Sequence, residues 1–147
     1  MATTRRAEAT WGGDLIGGNG TVTAGTTRVF ADLPITWKAR TEEADGVTSP
    51  EELLAAAHAS CFSMACSNIL AKAGTPPTRI AVTVDITADK AEAGWTVQTA
   101  AITVRGIVPG ATPDSFREAA EGAKDGCPIS RALAGNVELS IEAIHEG

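Results

Sequence analysis

Residues 48–73 read TSPEELLAAAHASCFSMACSNILAKA, and the way this stretch is buried decides the fold. Its start carries helix-initiation chemistry. Ser49 suits an N-cap, Pro50 fits the first helical position, and Glu52 stands where a capping-box glutamate belongs. Glu51 and Glu52 also set negative charge at the positive end of the helix dipole. Lys72 falls in the last turn, Gly74 stops the helix, and Pro76 and Pro77 follow. Between residues 53 and 71 there is no Asp, Glu, Lys or Arg. A helix without a charged face is expected to be buried nearly all round. Cys61 sits in its middle.

Three readings of such a helix compete. An uncharged run of this length approaches the thickness of a bilayer. His58, Ser60, Ser63, Ser67 and Asn68 interrupt it, and no Lys/Arg cluster flanks it, so no membrane is expected. The helix can instead form the core of a small domain, with Cys61 an inert buried thiol. Or it can form the core and also position a reactive Cys61. The helix taken alone favours the inert thiol, and the rest of the chain shifts the balance.

The 147 residues suit one domain, residues 1–147, with a modest core. Hydrophobic residues make up 44% and charged residues 20%, an ordinary globular composition. A net charge of -6 and no basic patch argue against nucleic acid or an anionic membrane as partner. The opening MATTRRAEATW has two arginines but no apolar core, so no secretory signal is expected. Three cysteines without a CxxC point to a reducing cytoplasm, where a disulfide is transient and redox-active. His58 and His145 lie far apart, no Cys/His spacing matches a zinc site, and no metal is expected. The glycine-rich residues 11–20 lack a phosphate-loop pattern and read as a turn.

Along the chain, residues 7–11 read as a short strand, and residues 21–24 with 28–30 as a second strand or hairpin. Leu33, Ile35, Trp37 and Ala39 alternate with Pro34, Thr36, Lys38 and Arg40, the period of a half-buried strand. That strand would put Lys38 and Arg40 together on its polar face. Ile80, Val82, Val84 and Ile86 alternate most cleanly of all. A turn at residues 89–94 leads to a second long strand, 95–108. Its apolar parity changes between Trp95 and Val97 and the later Ile102 and Val104, which predicts a bulge. Thr112-Pro113-Asp114 caps a helix running to about residue 124, with Phe116, Ala119, Ala120 and Ala123 on one stripe. After Gly126, Cys127-Pro128 opens a short helix that Gly135 ends. Val137, Leu139, Ile141 and Ala143 form a last strand. This order of elements is α+β.

Cys127 thus stands at a helix N-terminus, where backbone N–H groups favour a thiolate. Cys61 lies mid-helix and needs a nearby cation to react. Arg40 or Lys38 can supply it, and Glu51 can hold the arginine in a bidentate pair. His58, three residues before Cys61, can act as a base or pack as a core histidine. Cys66 turns to another face and reads as packing.

TSPEELLAAAHASCFSMA and KDGCPISRAL together resemble the two cysteine motifs of the OsmC/Ohr family of thiol peroxidases, in its OsmC branch. The resemblance extends over nearly the whole chain, including WGGDLIGGNGTV at residues 11–22 and the last strand. It implies an α+β OsmC-like fold: a long buried central helix, antiparallel sheets outside, and an intertwined homodimer with active sites at the subunit interface. Residue by residue it implies that Cys61 is the peroxidatic cysteine, Cys127 the resolving cysteine, Glu51 the orienting glutamate and Arg40 the activating arginine, with Lys38 the alternative cation.

The activity so implied is reduction of organic hydroperoxides, and less efficiently of hydrogen peroxide. Cys61 becomes a sulfenic acid, Cys127 condenses with it, and a dithiol reductant, a lipoylated protein or small dithiol, restores both thiols. No cofactor is required. The other reading is a catalytically silent OsmC-like dimer that binds an apolar ligand or partner through structural cysteines.

Overall fold

In the computed structural model, which describes residues 1–147, the chain runs β1 (Glu8–Gly12), β2 (Asn19–Thr23), β3 (Leu33–Ile35), α1 (Trp37–Thr41), α2 (Pro50–Lys72), β4 (Arg79–Ala91), β5 (Gly94–Ile107), α3 (Pro113–Gly126), α4 (Pro128–Leu133) and β6 (Glu138–His145). These elements divide between two units, Met1–Leu53 and Leu54–Gly147.

The first unit holds an antiparallel sheet in the order β1-β2-β3, with Trp11 opposite Gly20 and Thr21 opposite Pro34. Residues 28–30, read above as part of a strand or hairpin, form no strand, and a bend at residues 29–30 returns the chain to β3. The strand expected to run through Arg40 stops at Ile35 and a turn of helix replaces the rest. Thr36 explains the switch, because its hydroxyl accepts the Ala39 N–H at 3.0 Å and caps α1. Helix positions two apart point to different sides, so Lys38 and Arg40 do not share a face.

The long helix starts as its sequence requires. Ser49 accepts the Glu52 N–H at 3.1 Å, and the Glu52 carboxylate accepts the Thr48 hydroxyl at 2.7 Å. It ends in a Schellman turn. Gly74 adopts φ 86, its N–H reaches Ala71 O, and the Thr75 N–H reaches Leu70 O at 2.9 Å.

In the second unit β5 is central, antiparallel to β4 and parallel to β6. The sheet is therefore mixed rather than wholly antiparallel. The chain leaves β5 and crosses through α3 and α4, which brings it back in the same direction. The expected bulge is present. Thr87 pairs with Thr99 but Ala88 with Val97, leaving Gln98 as the extra residue. With that insertion Val97, Ala100, Ile102 and Val104 all turn toward the core.

The core of this unit joins Phe62, Cys66 and Leu70 of α2 to Ile102 and Val104 of β5 and Phe116, Ala119, Ala120 and Ala123 of α3. Gly106 on β5 leaves room for the Phe116 ring, which a Cβ there would meet at 2.5 Å. Length and composition alone would let α2 span a bilayer, but His58, Phe62, Cys66 and Leu70 form a buried stripe at i, i+4 spacing. The expectation of burial all round is not met within one chain. Ala56, Ala57, Ser60, Met64, Asn68 and Ala71 stay exposed, Met64 to 67%.

Candidate active site

In the second unit, α2 carries Cys61 and the corner between α3 and α4 carries Cys127. Their sulfurs lie 2.9 Å apart and both are free thiols. Local sequence fixes that corner. The Cys127 N–H donates to Ala123 O at 2.9 Å, ending α3, while its carbonyl accepts the Arg131 N–H at 2.9 Å, starting α4. Pro128, in the first turn of α4, has no N–H to satisfy. The Cys127 side chain is fully buried and Cys61 is half-buried.

The two thiols are unequal. With both protonated, Cys127 donates its S–H to the Cys61 sulfur. Burial pushes the Cys61 thiol up, and the hydrogen bond to Cys127 adds to the rise; the Ile129 N–H and the Arg131 charge offset part of it. Burial also acts against the Cys127 thiolate, but hydrogen bonds from Cys61, Ser130 and the Ile129 N–H outweigh it and hold the Cys127 pKa down.

His58 occupies the same buried stripe of α2. Its Nε2 lies 2.8 Å from Ser130 Oγ, and both residues are fully buried. Burial lowers the His58 pKa, which keeps the ring neutral at neutral pH. Cys66, deep in the core, has its thiol pushed up to about 11 by burial, so it stays protonated.

In the first unit, Arg40 and Glu51 form the pair that charge and geometry allow. Arg40 Nε donates to Glu51 Oε1 at 3.0 Å and its second guanidinium nitrogen donates to Oε2 at 3.0 Å. The Arg40 guanidinium carbon lies 5.8 Å from the centre of the Trp37 ring, a cation–π contact. Lys38 is exposed. Beside Arg40 is a hollow of about 240 Å³ lined by Trp11, Leu15, Ile35, Thr36, Trp37 and Pro50. No cluster of three or more His, Cys, Asp or Glu residues is arranged to hold a metal.

The structure therefore brings together Cys61 with Cys127 and Arg40 with Glu51. Sequence reasoning missed Ser130 and Arg131. A signal for Ser130 existed: a histidine in register with Phe62, Cys66 and Leu70 must find a buried polar partner. Nothing local singled out Arg131.

The profile of the OsmC family, described as OsmC-like protein, matches residues 23–142. Peroxiredoxin OsmC of Escherichia coli K12 is 38% identical over 142 residues, which cover 97% of this chain and 98% of that protein. The organic hydroperoxide resistance protein OhrA of Bacillus subtilis is 24% identical over 76% of the chain and 77% of its own length. Among solved structures, an organic hydroperoxide resistance protein of Elizabethkingia anophelis superposes with a TM-score of 0.73 at 22% identity, covering 99% of this chain and 100% of that one. Two sheets and a long apolar helix agree with that likeness, and the chain belongs to the OsmC family.

Proposed function

We propose that this OsmC-family cysteine peroxidase reduces organic hydroperoxides through a sulfenic acid on Cys61, resolved by Cys127 as a disulfide. The observation that carries the reading is the 2.9 Å contact between the two sulfurs. A disulfide of about 2.05 Å needs them to approach by roughly another ångström. Cys66, with its pKa raised to about 11, is no competitor as nucleophile.

The chemistry runs in three balanced steps. The Cys61 thiolate attacks the hydroperoxide, an S–O bond forms, the O–O bond breaks, and the alkoxide leaves as an alcohol after taking up a proton. The Cys127 thiolate then attacks the Cys61 sulfur, an S–S bond forms, and hydroxide leaves as water after protonation. A dithiol, either a lipoylated protein or a small dithiol, exchanges with this disulfide and departs as its own disulfide.

Burial raises the Cys61 pKa, so the first step needs a cation. In this reading Arg40 supplies it, its planar guanidinium oriented by Glu51. The same charge offsets the developing alkoxide. The apolar surroundings of Cys61 on α2 support a preference for alkyl hydroperoxides over hydrogen peroxide, since each buried CH₂ contributes about 0.8 kcal/mol. The uncharged exposed stripe of α2 supports an intertwined homodimer in which the whole chain acts as one domain. Three free cysteines support a cytoplasmic setting.

Purified protein supplied with a panel of peroxides, and with lipoyl-type and thioredoxin-type reductants in turn, tests this reading. Turnover of alkyl hydroperoxides with the lipoyl-type dithiol is expected. Absence of turnover with every pair leaves only a silent binding protein.

A further inference from the structure

We infer that the buried hydrogen bond between His58 and Ser130 pins α4 in register on α2 and so keeps Cys127 within closing distance of Cys61, making His58 and Ser130 positioning residues for disulfide closure. The purpose of this pin rests on the peroxidase reading, but its geometry does not.

Two rungs join the same two segments. One is the 2.9 Å contact between the Cys61 and Cys127 sulfurs. The other is the 2.8 Å contact between His58 Nε2 and Ser130 Oγ, with both residues fully buried. His58 stands three positions before Cys61 on α2, so the two are neighbours along that helix. Ser130 stands three positions after Cys127, the N-cap of α4. One rung alone would let α4 swivel about it, whereas two fix its rotation. With six residues, α4 is too short to hold its place without tertiary support. Ile129 and Leu133 pack against the core, but apolar contact is non-directional. The His58–Ser130 bond supplies the direction. It is also the one hydrogen bond of the buried His58 ring, because Nδ1 has no partner.

The pin matters most in the state from which closure starts. A thiol is a weak donor, and the sulfur–sulfur contact changes once Cys61 carries an oxygen. That oxidation leaves the His58–Ser130 rung untouched. With the rung in place, the Cys127 thiolate forms the S–S bond as the Cys61 S–O bond breaks, and hydroxide leaves as water after protonation. Without it, Cys127 spends less time within reach and a second alkyl hydroperoxide molecule competes. The Cys61 sulfenate then takes one oxygen from that molecule to become sulfinate, and the rest departs as alcohol.

The test uses full-length protein carrying Cys66→Ser, at a temperature where circular dichroism shows every variant folded. Equilibration with reduced and oxidised dithiothreitol, without peroxide, gives the effective concentration of Cys127 toward Cys61. Ser130→Ala is expected to lower it about tenfold, the scale of one lost hydrogen bond. His58→Leu should lower it alike, and the double variant by no more than either, since each removes the same bond. Ser130→Thr and His58→Gln, which keep a hydroxyl and a donor, should stay near the parent. After a pulse of excess alkyl hydroperoxide, mass spectrometry should find a larger share of Cys61 sulfinate in Ser130→Ala. An unchanged effective concentration in Ser130→Ala and His58→Leu, even with a lowered melting temperature, overturns the pin. So do additive losses in the double variant, or parent-level sulfinate in a protein that turns over peroxide. Because the dithiothreitol equilibrium needs no peroxide, normal turnover with an unmoved effective concentration removes this inference alone. A silent protein with a moved effective concentration removes the peroxidase reading alone.

Discussion

The sulfurs of Cys61 and Cys127 meet at 2.9 Å although the residues stand 66 positions apart, one from mid-helix and one from a corner between helices. Each therefore changes the other's proton affinity. Removing the Cys61 S–H withdraws one of the donors that lower the Cys127 pKa. Cys61→Ala, in a Cys66→Ser background, should make the remaining Cys127 titrate at higher pH than the first step of the intact pair. Ultraviolet titration of the two proteins checks this.

The Arg40–Glu51 pair yields a graded series. Arg40→Ala should slow peroxide reduction by about 10²-fold, the scale on which a positioned charge stabilises a developing anion. Arg40→Lys should recover part of the rate, because an ammonium keeps the charge but loses the fork. Glu51→Ala should fall between the two through misorientation. Lys38→Ala should matter little. Rapid-mixing measurement of the Cys61 oxidation step ranks the variants, and a larger loss for Lys38→Ala than for Arg40→Ala would refute the arginine's role.

The exposed, uncharged side of α2 makes oligomeric state a sharp test. Met64, 67% exposed in the single chain, should be covered in the dimer. Met64→Asp should then dissociate it, since a buried unpaired carboxylate is costly. Analytical ultracentrifugation at micromolar concentration should find a dimer for the parent and a monomer for the variant.

His58 also links stability to pH. Burial lowers its folded pKa below the ordinary 6.5, so below pH 6.5 the unfolded chain takes up the proton first. Above that pH both states are neutral and the group contributes no pH dependence. Stability should therefore fall as pH drops from 6.5 toward the folded value. Denaturant unfolding at several pH values should show a steeper fall for the parent than for His58→Gln.

Much of this architecture was legible because its signals are local. Ser49 and Gly74 bound α2, Thr112 caps α3, and the parity change between Val97 and Ile102 announced the bulge at Gln98. The misreading at Trp37 has a physical cause. A helix of five residues is too short to display a 3.6-residue period, and its alternation of apolar and polar residues imitates a strand. The parallel pairing of β6 was hidden too, because alternation in Leu139, Ile141 and Ala143 reports a buried face but not the neighbour's direction. The site was legible as motifs, Cys61 and Cys127 among them. The His58–Ser130 contact was not, because it exists only once α4 packs beside α2.

The most direct test of the account is to oxidise Cys127→Ser protein with one equivalent of an alkyl hydroperoxide, add dimedone, and locate the adduct by peptide mass spectrometry. The account predicts a single sulfenic acid adduct on Cys61, with none on Cys66, and no adduct when Cys61 is also replaced. An adduct on Cys66, or peroxide consumption that survives the loss of Cys61, would contradict it.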